Sequence, residues 1–205
     1  MTLNTVTYEQ VLDMHPCWLG TPAGRRRLKR YTDRLGGKAT ALDILRLSSI
    51  PSGDRLWIVL REDFIPAPIL HEFACRCAER ALAHVDNPDP RSIAGIEAKR
   101  KWVAGTITDE ELDLAWLAAW GAEWDAARLV THTTAQYAAR ACAQATAQSA
   151  AWDAAQATAQ TAARSTAAAP QAKMRATAFA VERKAQIDML IEMLEEEEAK
   201  TREPV

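Results

Sequence analysis

Ala135-Gln136-Tyr137-Ala138-Ala139-Arg140-Ala141-Cys142-Ala143-Gln144-Ala145-Thr146-Ala147 is the stretch whose reading decides the fold class. It lies inside residues 115–169, where 24 of 55 positions are alanine, with one glycine, Gly121, and no proline before Pro170. Alanine gives up no side-chain entropy in a helix and is the best helix former. A single helix over this region would run roughly 80 Å at about 1.5 Å per residue, against a radius of gyration of about 17 Å for a compact chain of this length. The region therefore folds back or stands out as a rod. Leu129-Val130-Thr131-His132-Thr133-Thr134 is its only run rich in β-branched residues, and threonine caps helix restarts. The spacing predicts helices over 109–130 and 134–168 with a hinge near 129–134. Alanine faces let helix axes approach closely, so a homo-oligomer is also expected.

Working outward, Pro170 breaks the pattern and a last helix is expected over 171–198, with Ile187, Leu190, Ile191 and Leu194 on one face. Its run Glu195–Glu198 sits at the end where the helix dipole disfavours acids, so that end is expected to fray. Upstream, Thr7 with Gln10 and Thr108 with Glu111 read as capping boxes, and Asp89-Pro90 reads as a cap followed by a first-turn proline. Short helices are expected over 8–14, 25–35, 41–47, 52–61, 67–84 and 90–104. The fold class read from this pattern is all-α. Residues 7–104 form a layer of short helices, 108–168 an Ala-rich hairpin, and 171–198 a closing helix, all in one domain over 1–205.

The chain has 205 residues and a formal net charge of −2. Neither value points to nucleic acid or a membrane surface. No basic-then-apolar leader and no long apolar run is present, so a cytoplasmic location is expected. Cys17, Cys75, Cys77 and Cys142 fit no tight disulfide framework and read as free thiols. His71 and Cys75 are four apart on one helix, but the second histidine of the zinc-protease pattern is missing and no metal site or cofactor is expected. No phosphate-binding glycine loop or nucleophile elbow occurs.

Two features carry polar or aromatic chemistry. Arg25, Arg26, Arg27, Lys29, Arg30 and Arg34 form a basic helix face with Asp33 as its only acid. Such a face suits an acidic protein or a phosphate, or is simply solvated. Trp116, Trp120 and Trp124 recur every fourth residue, as core filling or as a stacking wall, with Trp152 expected to face them across the hairpin.

Several segments in order carry a resemblance. Tyr8-Glu9-Gln10-Val11-Leu12 and Pro16-Cys17-Trp18-Leu19 come first. Leu56-Trp57-Ile58-Val59-Leu60-Arg61 and Phe64-Ile65-Pro66 follow. The central block is His71-Glu72-Phe73-Ala74-Cys75-Arg76-Cys77-Ala78-Glu79-Arg80-Ala81-Leu82 with Asp89-Pro90-Arg91-Ser92. Ile96-Glu97-Ala98-Lys99-Arg100-Lys101-Trp102 then leads into Ile107-Thr108-Asp109-Glu110-Glu111-Leu112 and the Ala/Trp tail. This order resembles a family of immunity proteins found in bacterial and phage genomes. The resemblance implies a non-catalytic neutraliser in the host cytoplasm and carries no catalytic residues with it. Two mechanisms fit that implication. One sequesters a small anionic ligand, such as a cyclic nucleotide signal, with Arg61, His71, Arg76, Arg80, Arg91, Lys99 and Arg100 as cations and Trp116 as the aromatic wall. The other caps a toxin or defence protein through an exposed face. Crowding of charge around the central block favours the first, and an enzyme is the third choice. The same arginines also suit a structural salt-bridge network.

Overall fold

The computed structural model describes residues 4–15, 17–126, 130–165 and 172–202. It is an all-α fold with one small exception. Strand β1 (Thr5–Thr7) pairs antiparallel with β2 (Lys38–Thr40), Val6 opposite Ala39. The helices are α1 (Tyr8–Asp13), α2 (Pro22–Arg34), α3 (Ala41–Leu45), α4 (Ser52–Val59), α5 (Ala67–Leu82), α6 (Pro90–Val103), α7 (Asp109–Asp125), α8 (Val130–Cys142), α9 (Ala147–Ser165) and α10 (Ala172–Arg202). A 3-10 turn covers Cys17–Gly20. The β pair escaped the sequence reading because three residues are too few to show a period of two.

Local signals place most helix starts. The capping boxes at Thr7/Gln10 and Thr108/Glu111 are both closed, and Thr40/Asp43 makes a third. Asp89 caps α6 through the Arg91 amide, with Pro90 in the first turn. Gly105, at φ +70°, follows the α6 C-cap in a backbone region where only glycine is unstrained. α2 begins earlier than its basic run suggests, because Thr21 accepts from the Gly24 amide and Pro22 sits in the first turn.

The Ala-rich region folds back, but not at the expected place. Residues 130–134 are helical, so the hinge expected there is displaced upstream: α7 ends at Asp125 with Ala126 as its C-cap. Leu129 lies outside the described residues. Thr133 donates to the Ala126 carbonyl at 2.8 Å, so the threonine run serves the end of α7 from within α8. A second break separates α8 from α9 at 143–146, inside what the sequence predicts as one helix. Its cause is tertiary: the Lys99 ammonium donates to the Gln144 carbonyl at 2.6 Å, and the Gln144 amide donates to Asp153 at 3.2 Å. Alanine propensity yields to that contact. The glutamate end of α10 does not fray either. The helix continues to Arg202, with Arg46–Glu195 at 2.5 Å and Lys200–Glu197 at 3.4 Å beside it.

The chain divides into two compact units, Met1–Pro66 with Ile187–Val205, and Ala67–Gln186. The dividing line falls before α5, not at residue 104. α5 packs directly on α8 and α9 and so belongs with the Ala-rich helices. The first unit buries Val11, Leu28, Leu45, Leu56, Phe64 and Ile65, and from α10 Ile187, Leu190 and Leu194. In the second unit α9 is central. Ala150, Ala151, Ala154, Ala155 and Ala159 are fully buried, and Thr158 hydroxyl donates to the Cys77 carbonyl of α5 at 2.7 Å. A hydroxyl reaches a neighbouring backbone in this way only where small side chains let the axes close up. α9 thus finds its helical partners inside the unit, and its alanine face alone gives no reason for self-association.

Candidate functional site

The central block places its cations on α5 and α6, and nearly all are matched by carboxylates. Glu72 accepts from Arg76 Nε at 3.1 Å, Arg100 Nε at 3.0 Å and Arg100 Nη2 at 3.1 Å. Arg100 also binds Glu79, at 2.5 and 3.0 Å. Burial alone would raise the Glu72 carboxyl, but the hydrogen bonds from Arg100 and Arg76 outweigh it and hold it below the ordinary carboxylate range. Arg80 grips the buried Glu182 of α10 in two parallel bonds of 2.9 and 2.7 Å. Arg91 binds Asp89 twice, at 3.0 and 2.7 Å, and Asp125 of α7 at 2.7 Å. Its guanidinium lies over Gly121, where an added Cβ would sit 3.1 Å from Nη1. These four arginines use their forks to join α5, α6, α7 and α10.

His71 and Lys99 occupy the interior rather than a cationic rim. His71 is 5% exposed, its ring edge-on to Trp102 at 5.4 Å. Burial, and next the charge of Lys99, push the imidazole down to about 4, so it is neutral at pH 7. Lys99 is fully buried, 4.0 Å from the Trp102 ring centre, and burial pushes it down to about 8. Burial also raises the Cys77 thiol, while the bond to Cys75 and then burial raise Cys142. Such thiols stay protonated and are poor nucleophiles. Arg61 belongs to the other compact unit, where it stacks on Trp57 at 4.4 Å. The proposed cationic set is therefore not one site.

The aromatic wall also divides. Trp116 and Trp120 tilt against each other at 5.6 Å, and Arg140 lies 5.4 Å from the Trp116 ring. Arg140 is itself held by Glu123 at 2.6 Å. Trp120 and Trp124 are exposed, along with Leu114 and Leu117 on the same helix. Trp152 instead faces Arg183 of α10 at 5.3 Å.

The basic helix α2 differs in kind. Its one acid, Asp33, is taken by Lys29 at 3.0 Å. Arg25 Nε donates to the Leu19 carbonyl at 2.9 Å and Arg27 Nη1 to the Ser49 carbonyl at 3.2 Å. Arg26, Arg30 and Arg34 are exposed and have no acidic partner among the described residues. They stand four apart and so share one face. A surface hollow of about 390 Å³ adjoins them, lined by Gly24, Arg27, Arg30, Ser49 and Pro51 among others. The sequence showed the charge of this helix; that Arg26, Arg30 and Arg34 pair with no carboxylate among the described residues is a tertiary fact.

No group of three or more metal-ligating side chains gathers among the described residues. No described helix is long and apolar enough to cross a membrane. No family model, curated protein or solved structure matches this chain.

Proposed function

We propose that the chain is a non-catalytic immunity or counter-defence protein that caps an acidic surface of a toxin or defence effector with the arginine row of α2. One observation carries this reading: Arg26, Arg30 and Arg34 are exposed on one face and pair with no carboxylate among the described residues, while the arginines of the central block are already matched. Unpaired guanidinium groups keep their forks for a partner's carboxylates, and arginine is a frequent interface anchor. The resemblance to immunity proteins supplies the role, and the row supplies the face.

The small-anion reading keeps one supporting observation. Arg27 and Arg30 line the hollow beside α2, which is large enough for a nucleotide-sized ligand. Among the described residues, no tryptophan, tyrosine or phenylalanine lines it as an aromatic wall for such a ligand.

A photo-crosslinker at position 30, in cells that make the protein, tests the choice. The capping reading expects one protein to be captured, and its activity to be blocked by the wild type but not by R26E/R30E/R34E. Each lost charge-assisted contact is worth roughly 1.5–3 kcal/mol, about ten-fold or more in affinity. In parallel, a panel of cyclic and linear nucleotides is incubated with the protein, then heated. Nucleotides depleted and returned intact would favour sequestration, changed products would mean an enzyme, and an untouched panel fits capping.

A further inference from the structure

Helix α7 leaves one face bare. At about 100° per residue, Glu110, Asp113, Leu114, Leu117, Trp120 and Trp124 fall within a sector of roughly 120°. All six are exposed, Trp124 at 76%. The acids come first, and the four apolar side chains follow over about 15 Å of the helix. The two tryptophans alone bare about 250 Å² of surface. With the leucines, the patch reaches the size that marks a functional contact on a monomer. Trp120 is already fixed, its ring tilted against Trp116 at 5.6 Å. A rigid aromatic ring loses little entropy on docking and makes a good interface anchor.

The charge on this helix says what the face receives. α7 has six acids and no lysine or arginine. Four of the acids are engaged: Asp109 accepts from the Trp102 indole, Glu111 closes the capping box, Glu123 holds Arg140 and Asp125 holds Arg91. The carboxylates of Glu110 and Asp113, the two on the bare face, have no partner among the described residues. A second copy of α7 brings them no cation. Paired antiparallel it sets Trp124 and Asp125 against them, and paired parallel it sets acid against acid.

We propose that this face receives an amphipathic helix of another protein, antiparallel to α7. Its aliphatic stripe covers the leucines and tryptophans, and lysines or arginines in its last turns meet Glu110 and Asp113. The direction follows from electrostatics. Cations sit best near a helix C-terminus, and antiparallel docking lays that end beside the acidic start of α7. The patch is smaller than the roughly 800 Å² per partner of a stable interface, so the contact is reversible. The face belongs to the second compact unit and does not rest on the arginine row of α2.

The probe is a peptide of roughly 18 residues, long enough to hold a helix alone, with leucines at 3–4 spacing and lysines in its last two turns. One comparator carries the lysines in its first two turns, and another has glutamates in their place. NMR of the full chain should show saturable binding of the probe, with the indole N–H signals of Trp120 and Trp124 shifting. Both comparators bind about five-fold weaker or less, since the two exposed ion pairs are lost. Trp124→Ser weakens the probe by about 30-fold or more with helix content unchanged. Glu110→Lys with Asp113→Lys reverses the preference toward the glutamate peptide, and R26E/R30E/R34E binds the probe as the wild type does. No saturable binding, equal binding of the three peptides, binding indifferent to Trp124→Ser, or a dimer of the chain alone that Trp124→Ser splits would each overturn the proposal.

Discussion

Two sets of arginines differ in the company they keep. On α2, Arg26, Arg30 and Arg34 are exposed and pair with no carboxylate among the described residues, the helix's own Asp33 being held by Lys29. In the second compact unit, Arg76, Arg80, Arg91 and Arg100 each hold one or two carboxylates, and those carboxylates come from α5, α7, α10 and the turn before α6. The first set is available and the second is spent. A cationic residue marks a binding face only after its neighbours have been counted, because a matched guanidinium must lose a partner before it gains a ligand.

The largest effect is expected from removing a buried carboxylate that two hydrogen bonds hold. Glu182→Ala leaves Arg80 without its bidentate partner, next to the 2%-exposed Arg183, whose guanidinium burial already pushes down to about 10. Breaking a fully buried pair from one side costs about 3–5 kcal/mol, and because Arg80 keeps water on its 42%-exposed side, urea unfolding should show a loss at the lower end of that range. A loss below about 1 kcal/mol would mean that the second set is not structural.

Acid should act next, through the buried imidazole of that unit. His71 titrates at about 4 when folded against 6.5 ordinarily, so the unfolded chain binds the extra proton between those values. Its contribution is whole above pH 6.5 and is lost as pH falls through 4, amounting to about 3 kcal/mol. The stability of wild type minus that of His71→Phe, followed by denaturant unfolding from pH 7 to pH 4, should fall by up to that amount. A flat difference would place His71 in water.

A smaller effect is expected at the shared carboxylate. Glu72→Gln weakens its bonds to Arg76 and Arg100, all three about one-third exposed, and should cost about 0.5–1 kcal/mol by thermal unfolding. The smallest belongs to α2. Each of Arg26→Ala, Arg30→Ala and Arg34→Ala should leave stability within about 0.5 kcal/mol. A clear destabilisation by any of them would mean that the row has partners and is not free.

The sequence disclosed what short-range chemistry controls. Capping boxes, the Asp89-Pro90 start, Gly105 and the helical character of the Ala-rich region are all local, and they stand where the residues put them. What it hid is long-range. Lys99 breaks the Ala-rich helix at Gln144, 45 positions away, and no propensity reveals that. The pairing of the candidate cations was hidden for the same reason. His71, Arg76, Arg80, Arg91, Lys99 and Arg100 stand close together in the sequence, but their carboxylates at Asp125 and Glu182 are remote in it. Glu72, four residues before Arg76, and Asp89, two before Arg91, are the local warnings that these charges are spoken for. The stranded Nδ1 of His71 left no trace in the sequence at all.

The arginine Nε–H spectrum, recorded while an acidic octapeptide of glutamates is added, tests the contrast most directly. The account predicts slowly exchanging, resolved signals for Arg76, Arg80, Arg91 and Arg100, whose Nε groups donate to carboxylates, and none of these should move. Arg26, Arg30 and Arg34 should exchange fast at first and then shift and slow together as the peptide binds, the effect fading with salt. Shifts centred on the second set, with α2 unmoved, would contradict it.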